Sequence, residues 1–336
     1  MNTSKTAKGV RFRQAGGPEV LKVETVDVAA PSPHEVRLWV KAAGLNRIDT
    51  VFRMGLFSEQ PVFPSQIGFE AAGIIESVGS AVTDFKAGDK VSVVPAFSNR
   101  DYGTYGELIL VPAYALQHYP DFLSFEEAAS IWTSFIAAYG MLVDSARLQT
   151  GQAVMINAAS SSAGLAAIQV TNLLGGIPIA LTTSAAKKQA ILKAGAHHVI
   201  ITSEEDIPSA VQAMTNGTGA AVILDAVGGA QFEKLVASAA ERARILAYGF
   251  LGGAPGLYPS FELVMKMLSV TGYNMTDLMM DPAKSSAAIR FIQAGLASGK
   301  LKPVVAQSFP LEEVAESHRY LEANRQVGKV VLSIHE

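Results

Sequence analysis

One strand–turn–helix unit in the middle of the chain limits its architecture more than any other segment. Ala153-Val-Met-Ile-Asn157 is a short apolar run, residues 158–164 form a turn of small residues, and 165–174 read as a helix closed by Gly175-Gly176. A turn of that kind between a buried strand and a helix lets a phosphate approach the helix N-terminus. Backbone N–H groups and the helix dipole favour an anion there. This is the chemistry of a dinucleotide pocket.

The alternation continues on both sides of that unit. Strand patterns fall at 153–157, 177–183, 198–201, 221–225, 244–248 and near 270–273, with helix patterns at 163–174, 185–193, 207–214 and 230–239. Gly195 and Gly217 sit where helix C-caps belong. Repeated β–α units of this size predict an α/β fold with a doubly wound parallel sheet. Ser124-Phe-Glu-Glu127 is a capping box that opens this half. Before it, short apolar or alternating runs at 20–24, 36–42, 71–78, 90–94 and 107–111 are separated by Gly and Pro, as in an antiparallel barrel-like domain. After Tyr273 come a helix at 283–298, a run at 302–305, a helix at 311–322 and a strand at 329–334; this tail is expected to pack on the first part.

Length and composition narrow the classes. At 336 residues two domains are expected. No cysteine is present, which removes disulfides, thiolate metal ligands and cysteine nucleophiles. A formal net charge of -3 without a basic cluster argues against nucleic acid as a partner. The uncharged stretch between Arg147 and Lys187 is interrupted by Asn157, Ser160–Ser162, Gln169, Asn172 and Pro178, so no membrane span is expected. The N-terminal residues lack an apolar leader pattern, and a cytoplasmic protein is the expectation. The six histidines (His34, His118, His197, His198, His318 and His335) show no helical ligand spacing.

The turn at 158–164 has only one glycine, Gly164, and taken alone also fits an ordinary βα turn. In NAD-preferring domains an acid lies ~20 residues past the glycines and bonds the ribose 2′-hydroxyl. Here the second strand ends in Thr182-Thr183-Ser184, followed by Lys187-Lys188. Hydroxyls and lysines favour a 2′-phosphate, hence NADPH; a solvated helix face explains the lysines equally simply. Asp225-Ala-Val-Gly-Gly229 and Tyr248-Gly-Phe250 end the next strands, on the side where ligands of such sheets bind.

With these residues in view, the whole chain resembles the medium-chain dehydrogenase/reductase superfamily in its zinc-independent quinone-reductase (zeta-crystallin-like) branch. The resemblance runs in order through Gly16-Gly-Pro-Glu-Val-Leu21, Gly44-Leu-Asn-Arg-Ile-Asp49, Gly68-Phe-Glu-Ala-Ala-Gly73 and Phe85-Lys-Ala-Gly-Asp-Lys-Val91. It continues through Tyr102-Gly-Thr-Tyr-Gly-Glu107, 158–164, Lys193-Ala-Gly-Ala196, Gly299-Lys-Leu-Lys-Pro303 and Gly328-Lys-Val-Val-Leu332. It implies a GroES-like β-rich catalytic domain from 1–124 and 275–336, a Rossmann domain over 125–274, bound NADPH, and a homodimer joined through the strand near 270–273. Zinc-dependent relatives carry a cysteine, a Gly-His-Glu and a four-cysteine loop; this chain has Asn46 and Phe69 at the first two ligand positions, and neither side chain replaces a thiolate or an imidazole.

The implied activity is hydride transfer from NADPH to a small quinone or α,β-unsaturated carbonyl. A zinc-free alcohol oxidoreductase and a non-enzymatic nucleotide-binding protein are the alternatives. By resemblance, Asn46 and Asp49 line the cleft near the nicotinamide and are candidate catalytic residues; Tyr105, with Tyr102 in the same Gly-rich loop, is a candidate donor to the developing enolate. The candidate cofactor residues are Asn46, Thr133, Ser160, Ser161, Ser162, Ala163, Gly164, Thr183, Ser184, Lys188, Val227, Gly228, Tyr248, Gly249, Phe250 and Asn324. Read without the resemblance, Asn46 is a turn residue, Asp49 a helix N-terminal carboxylate and Tyr105 a packing aromatic. Trp132 is a candidate wall for the substrate.

Overall fold

The computed structural model describes residues 3–253 and 255–334; His335 lies outside them. Two compact units are present, one of 1–133 with 303–336, the other of 134–302. Residues 275–302, expected with the GroES-like part, belong to the second unit, and the capping box at Ser124 belongs to the first.

The first unit contains β1 (Lys5–Arg11), β2 (Lys22–Val28), β3 (Glu35–Gly44), β4 (Glu70–Val78), β5 (Lys90–Val93), β6 (Leu108–Pro112) and β7 (Leu116–Gln117), with α1 (Arg47–Arg53) and α2 (Phe125–Ala128). At 132–139 α3 (Trp132–Tyr139) crosses into the second unit, running into a π-helical turn at Gly140–Ser145. There follow β8 (Ala153–Ile156), α4 (Ser162–Leu173), β9 (Ile177–Thr182), α5 (Lys188–Lys193), β10 (His198–Ile201), α6 (Ile207–Met214), β11 (Ala220–Asp225), α7 (Phe232–Ala237) and β12 (Ala239–Ala247). The second unit ends with α8 (Ser260–Met265), β13 (Ser269–Gly272), α9 (Met275–Met280) and α10 (Pro282–Ala297). The chain then returns to the first unit with β14 (Val305–Pro310), α11 (Val314–Glu322) and β15 (Lys329–Ser333).

In the first unit a sheet runs in the order β14-β15-β3-β4-β5-β7, with β6 also on β3, beside the antiparallel pair β1-β2. Strand β15 pairs antiparallel with β3, placing Val331 opposite Gly44. Both ends of the described chain are thereby tied into one core of Val36, Leu38, Phe52, Val91, Val330 and Leu332. Trp132 is fully buried in this unit and its Nε1 donates to Ser92 Oγ at 2.8 Å, so it is core rather than a substrate wall.

In the second unit six parallel strands run β10-β9-β8-β11-β12-β13. Written in chain order this is 3-2-1-4-5-6, the doubly wound order with a topological reversal between its first and fourth strands. Met155, Ile179, Leu181, Ile223 and Ile245 are fully buried on these strands. That explains their near-continuous apolar sequence, because helices cover both faces of such a sheet. Among the described residues no helix is long and apolar enough to cross a membrane.

Candidate functional site

The reversal in strand order places the carboxyl ends of β8 and β11 side by side, with Val222 opposite Val154. From β8 the chain turns sharply at Ala158, whose φ is +49°, and enters α4. Ser161 is the N-cap; its hydroxyl accepts the Gly164 N–H at 3.0 Å. A helix leaves its first-turn N–H groups without intrahelical partners, which suits a phosphate. Only glycine fits at 164: a Cβ there would lie 2.7 Å from Ala158 O and from Ala159 Cα.

The neighbouring strand end is held by a buried carboxylate. Asp225 Oδ1 accepts from Val227 N at 2.9 Å, Gly228 N at 3.0 Å and Asn157 Nδ2 at 3.0 Å. Asn157 Nδ2 also donates to Gln231 Oε1 at 2.9 Å, and its Oδ1 accepts from Ala158 N. One polar network thus sets the shape of both strand-end turns. Gly228 has φ +64° with open space where a side chain would project. On β12's end, the Tyr248 hydroxyl is buried and finds no partner among the described residues. Burial and then Asp225 push this phenol above its usual range. A buried hydroxyl left unbonded costs about 1–3 kcal/mol, so a ligand atom or water there has a donor waiting. Phe250, two residues on, is exposed.

After β9, Thr183 and Ser184 lead into a 3-10 turn, Ala185–Lys187. Lys187 Nζ donates to Ser160 Oγ at 3.2 Å, and burial lowers its pKa. Of the two lysines the sequence offers, Lys187 reaches the phosphate-side turn through Ser160. The 3-10 turn fixes that phase, and Lys188 opens α5. A cluster of hydroxyls, a lysine, a helix N-terminus and an unpartnered buried phenol fits a phosphorylated dinucleotide.

The first unit holds a second cluster. Asn46 is the N-cap of α1, and Asp49 Oδ2 accepts from Asn46 N at 2.7 Å, half of a capping box. Tyr105, 2% exposed, donates its hydroxyl to the same Oδ2 at 2.7 Å. Asp49 is fully buried, its Oδ1 finds no partner among the described residues, and burial raises its pKa to about 7. Burial, with Asp49 beside it, holds the Tyr105 phenol well above its usual range. Its hydroxyl is therefore spent on Asp49, not free to serve a developing enolate. Tyr102 likewise donates to Glu35 Oε1 at 2.8 Å.

Lys329 was legible only as part of a terminal motif, yet its ammonium, 1% exposed, bonds Asn46 Oδ1 at 2.6 Å and Glu70 Oε1. Glu70 Oε2 accepts from Thr133 N at 3.1 Å, and the Thr133 hydroxyl finds no partner among the described residues. Asn324 adopts φ +54° and its side-chain oxygen accepts from Arg47. The donor set around Asn46 does not fit a zinc ion. Phe69 offers no lone pair, and a lysine ammonium already satisfies both Glu70 and the Asn46 oxygen.

Comparison with known proteins agrees with this geometry. Residues 32–121 match the alcohol dehydrogenase GroES-like domain, and 194–332 match a family described as zinc-binding dehydrogenase. A quinone oxidoreductase of Pseudomonas aeruginosa is 33% identical over 97% of this chain and 99% of its own length. This chain belongs to the quinone oxidoreductase family. Among solved structures, the Escherichia coli quinone oxidoreductase in complex with NADPH is 31% identical with a TM-score of 0.88, covering 98% of this chain and 100% of that one. A structure described as an NAD-dependent alcohol dehydrogenase is 34% identical with the same TM-score, over 98% of this chain and 100% of that one. The fold expected from the sequence, a GroES-like part with a Rossmann sheet, is the one observed.

Proposed function

We propose that this protein is an NADPH-dependent, zinc-independent oxidoreductase that reduces quinones or α,β-unsaturated carbonyls. The observation that carries the cofactor choice is Lys187 on Ser160 beside Thr183 and Ser184, with no carboxylate at the end of β9. An acid there would repel a 2′-phosphate; an ammonium and hydroxyls attract it. Ser160, Ser161, Ser162, Ala163 and Gly164 would hold the pyrophosphate against α4. Val227, Gly228, Tyr248, Gly249 and Phe250 would line the cofactor at the ends of β11 and β12. Lys187, next to Lys188 in the chain, would bind the 2′-phosphate.

When bound, the reduced nicotinamide supplies the hydride. Quinones and enones accept it without a Lewis acid, because the charge delocalises onto an oxygen. In the first unit, Asn46 would donate a hydrogen bond to that oxygen and Thr133 would bond the cofactor. Asp49 would hold a proton on its unpartnered Oδ1, while Tyr105 positions Asp49 by fixing Oδ2. Arg47 orients Asn324 for its expected contact with the cofactor. The reading includes a cytoplasmic homodimer; its dimer part is supported by the exposed edge strand β13 and by exposed Phe261, Val264 and Val270 nearby in sequence.

The test is oxidation of NADPH at 340 nm against panels of quinones, enones and primary alcohols with NADP. Turnover with quinones or enones well above background is expected. Background rates with both, together with alcohol oxidation, would replace this reading by an alcohol dehydrogenase.

A further inference from the structure

Three buried side chains of the first unit hold one another in a fixed order. Lys329 donates to Asn46 Oδ1 at 2.6 Å and to Glu70 Oε1, and Asn46 Nδ2 donates to Glu70 Oε1 at 3.1 Å. Their exposures are 1%, 6% and 0% for Lys329, Asn46 and Glu70. An ammonium has only donors and an ionised carboxylate only acceptors. The Asn46 amide between them therefore has one favourable orientation, with oxygen toward Lys329 and nitrogen toward Glu70. Flipping it would set N–H against N–H and oxygen against oxygen. The second Nδ2–H has only a long contact, 3.4 Å, to Gly44 O. What Asn46 has left to offer a ligand is thus a donor, strengthened because its oxygen is held by a cation.

We infer that Lys329 is a positioning residue for the reduction: it locks Asn46 as a hydrogen-bond donor and so selects acceptors that present an oxygen lone pair. The inference rests on the reading of Asn46 as a site residue. The lock also reaches the start of α3. Glu70 Oε2 accepts the Thr133 N–H, so the same carboxylate registers Asn46 against the Thr133 hydroxyl. Neutral side chains would lose this order, since a glutamine at 329 has an amide that flips in its turn. Glu70 balances the lysine charge, which makes the pair tolerable in an interior where either ion alone would be costly.

The experiment is a mutant cycle on kcat with a quinone, using Asn46→Ala, the charge-neutral Lys329→Met/Glu70→Gln, and the triple variant. The dissociation constant for NADPH of each is measured alongside, and enzyme concentration is set by bound NADPH. Asn46→Ala is expected to lower kcat by about 100-fold. The neutral pair variant should lower it by about 10-fold or more, with NADPH affinity within about 2-fold, and the triple should fall no further than Asn46→Ala alone. Lys329→Gln, which keeps donors and bulk, takes the place of the pair variant if that one does not fold. A loss in the triple equal to the product of the separate losses would overturn the inference, as would full turnover in the pair variant. Full turnover in Asn46→Ala would overturn the placement of Asn46 and this inference together.

Discussion

Two buried titratable groups in the first unit pull stability in opposite directions with pH. Asp49 has its pKa raised by burial to about 7, and His318 has its pKa lowered to about 3 by burial and by Arg53 and Arg47. Arg53 donates to His318 Nδ1 at 2.9 Å and pairs with Glu322 at 2.8 Å, so a second charge on the ring is disfavoured. Between about pH 4 and 6.5 the folded chain keeps the Asp49 proton that the unfolded chain has lost. Over the same range the unfolded chain carries a proton on His318 that the folded chain refuses. The Asp49 contribution is thus lost as pH rises toward 7, the His318 contribution is lost as pH falls below 6.5, and the two slopes cancel. Asp49→Asn should make stability rise with pH, relative to the parent, by about 1.4 kcal/mol per unit between pH 4.5 and 6. His318→Gln should make it fall by about the same amount. Urea unfolding across that range measures both; parallel curves for parent and variants would show that these groups titrate normally.

At the scale of single elements, the β8–turn–α4 unit is the most constrained part of the molecule. Gly164→Ala forces a methyl into backbone atoms at 2.7 Å. The expected cost is about 1–3 kcal/mol of stability and a loss of NADPH affinity of about 10-fold or more, by thermal melting and titration. A variant with parent-like melting and affinity would mean the turn is looser than described. This unit was legible because a doubly buried parallel strand writes a continuous apolar run and its helix starts at a serine cap. The strands β1 and β14 were not. Lys5–Arg11 carries three basic residues and β14 is largely exposed and ends in proline, so neither shows strand periodicity. The site was legible to the same extent. The β8–α4 turn pointed to the phosphate-side serines, and the family resemblance to Asn46 and Asp49, which alone read as local capping residues. Lys329 on Glu70 was hidden, because the pairing spans 259 residues and comes from β15 lying beside β3. Which of Lys187 and Lys188 meets Ser160 was not legible, because the 3-10 turn at Ala185–Lys187 sets the phase of the lysines.

At the scale of the whole molecule, the chain commits its two ends to one unit and its middle to the other. The edge strand β13 pairs only with β12 among the described strands, and its four residues are exposed. Exposed edges are normally covered or paired, so under the proposed homodimer the parent should sediment as a dimer and Val270→Glu with Phe261→Glu as a monomer in sedimentation equilibrium. An unchanged mass would locate the interface elsewhere. The measurement that bears most directly on the central claim is isothermal titration with NADPH and NADH side by side, on the parent and on Lys187→Ala. The parent should bind NADPH at least about 10-fold more tightly than NADH, and Lys187→Ala should lose most of that difference while Lys188→Ala keeps it. Equal binding of the two cofactors by the parent, or a preference untouched in Lys187→Ala, would contradict the account.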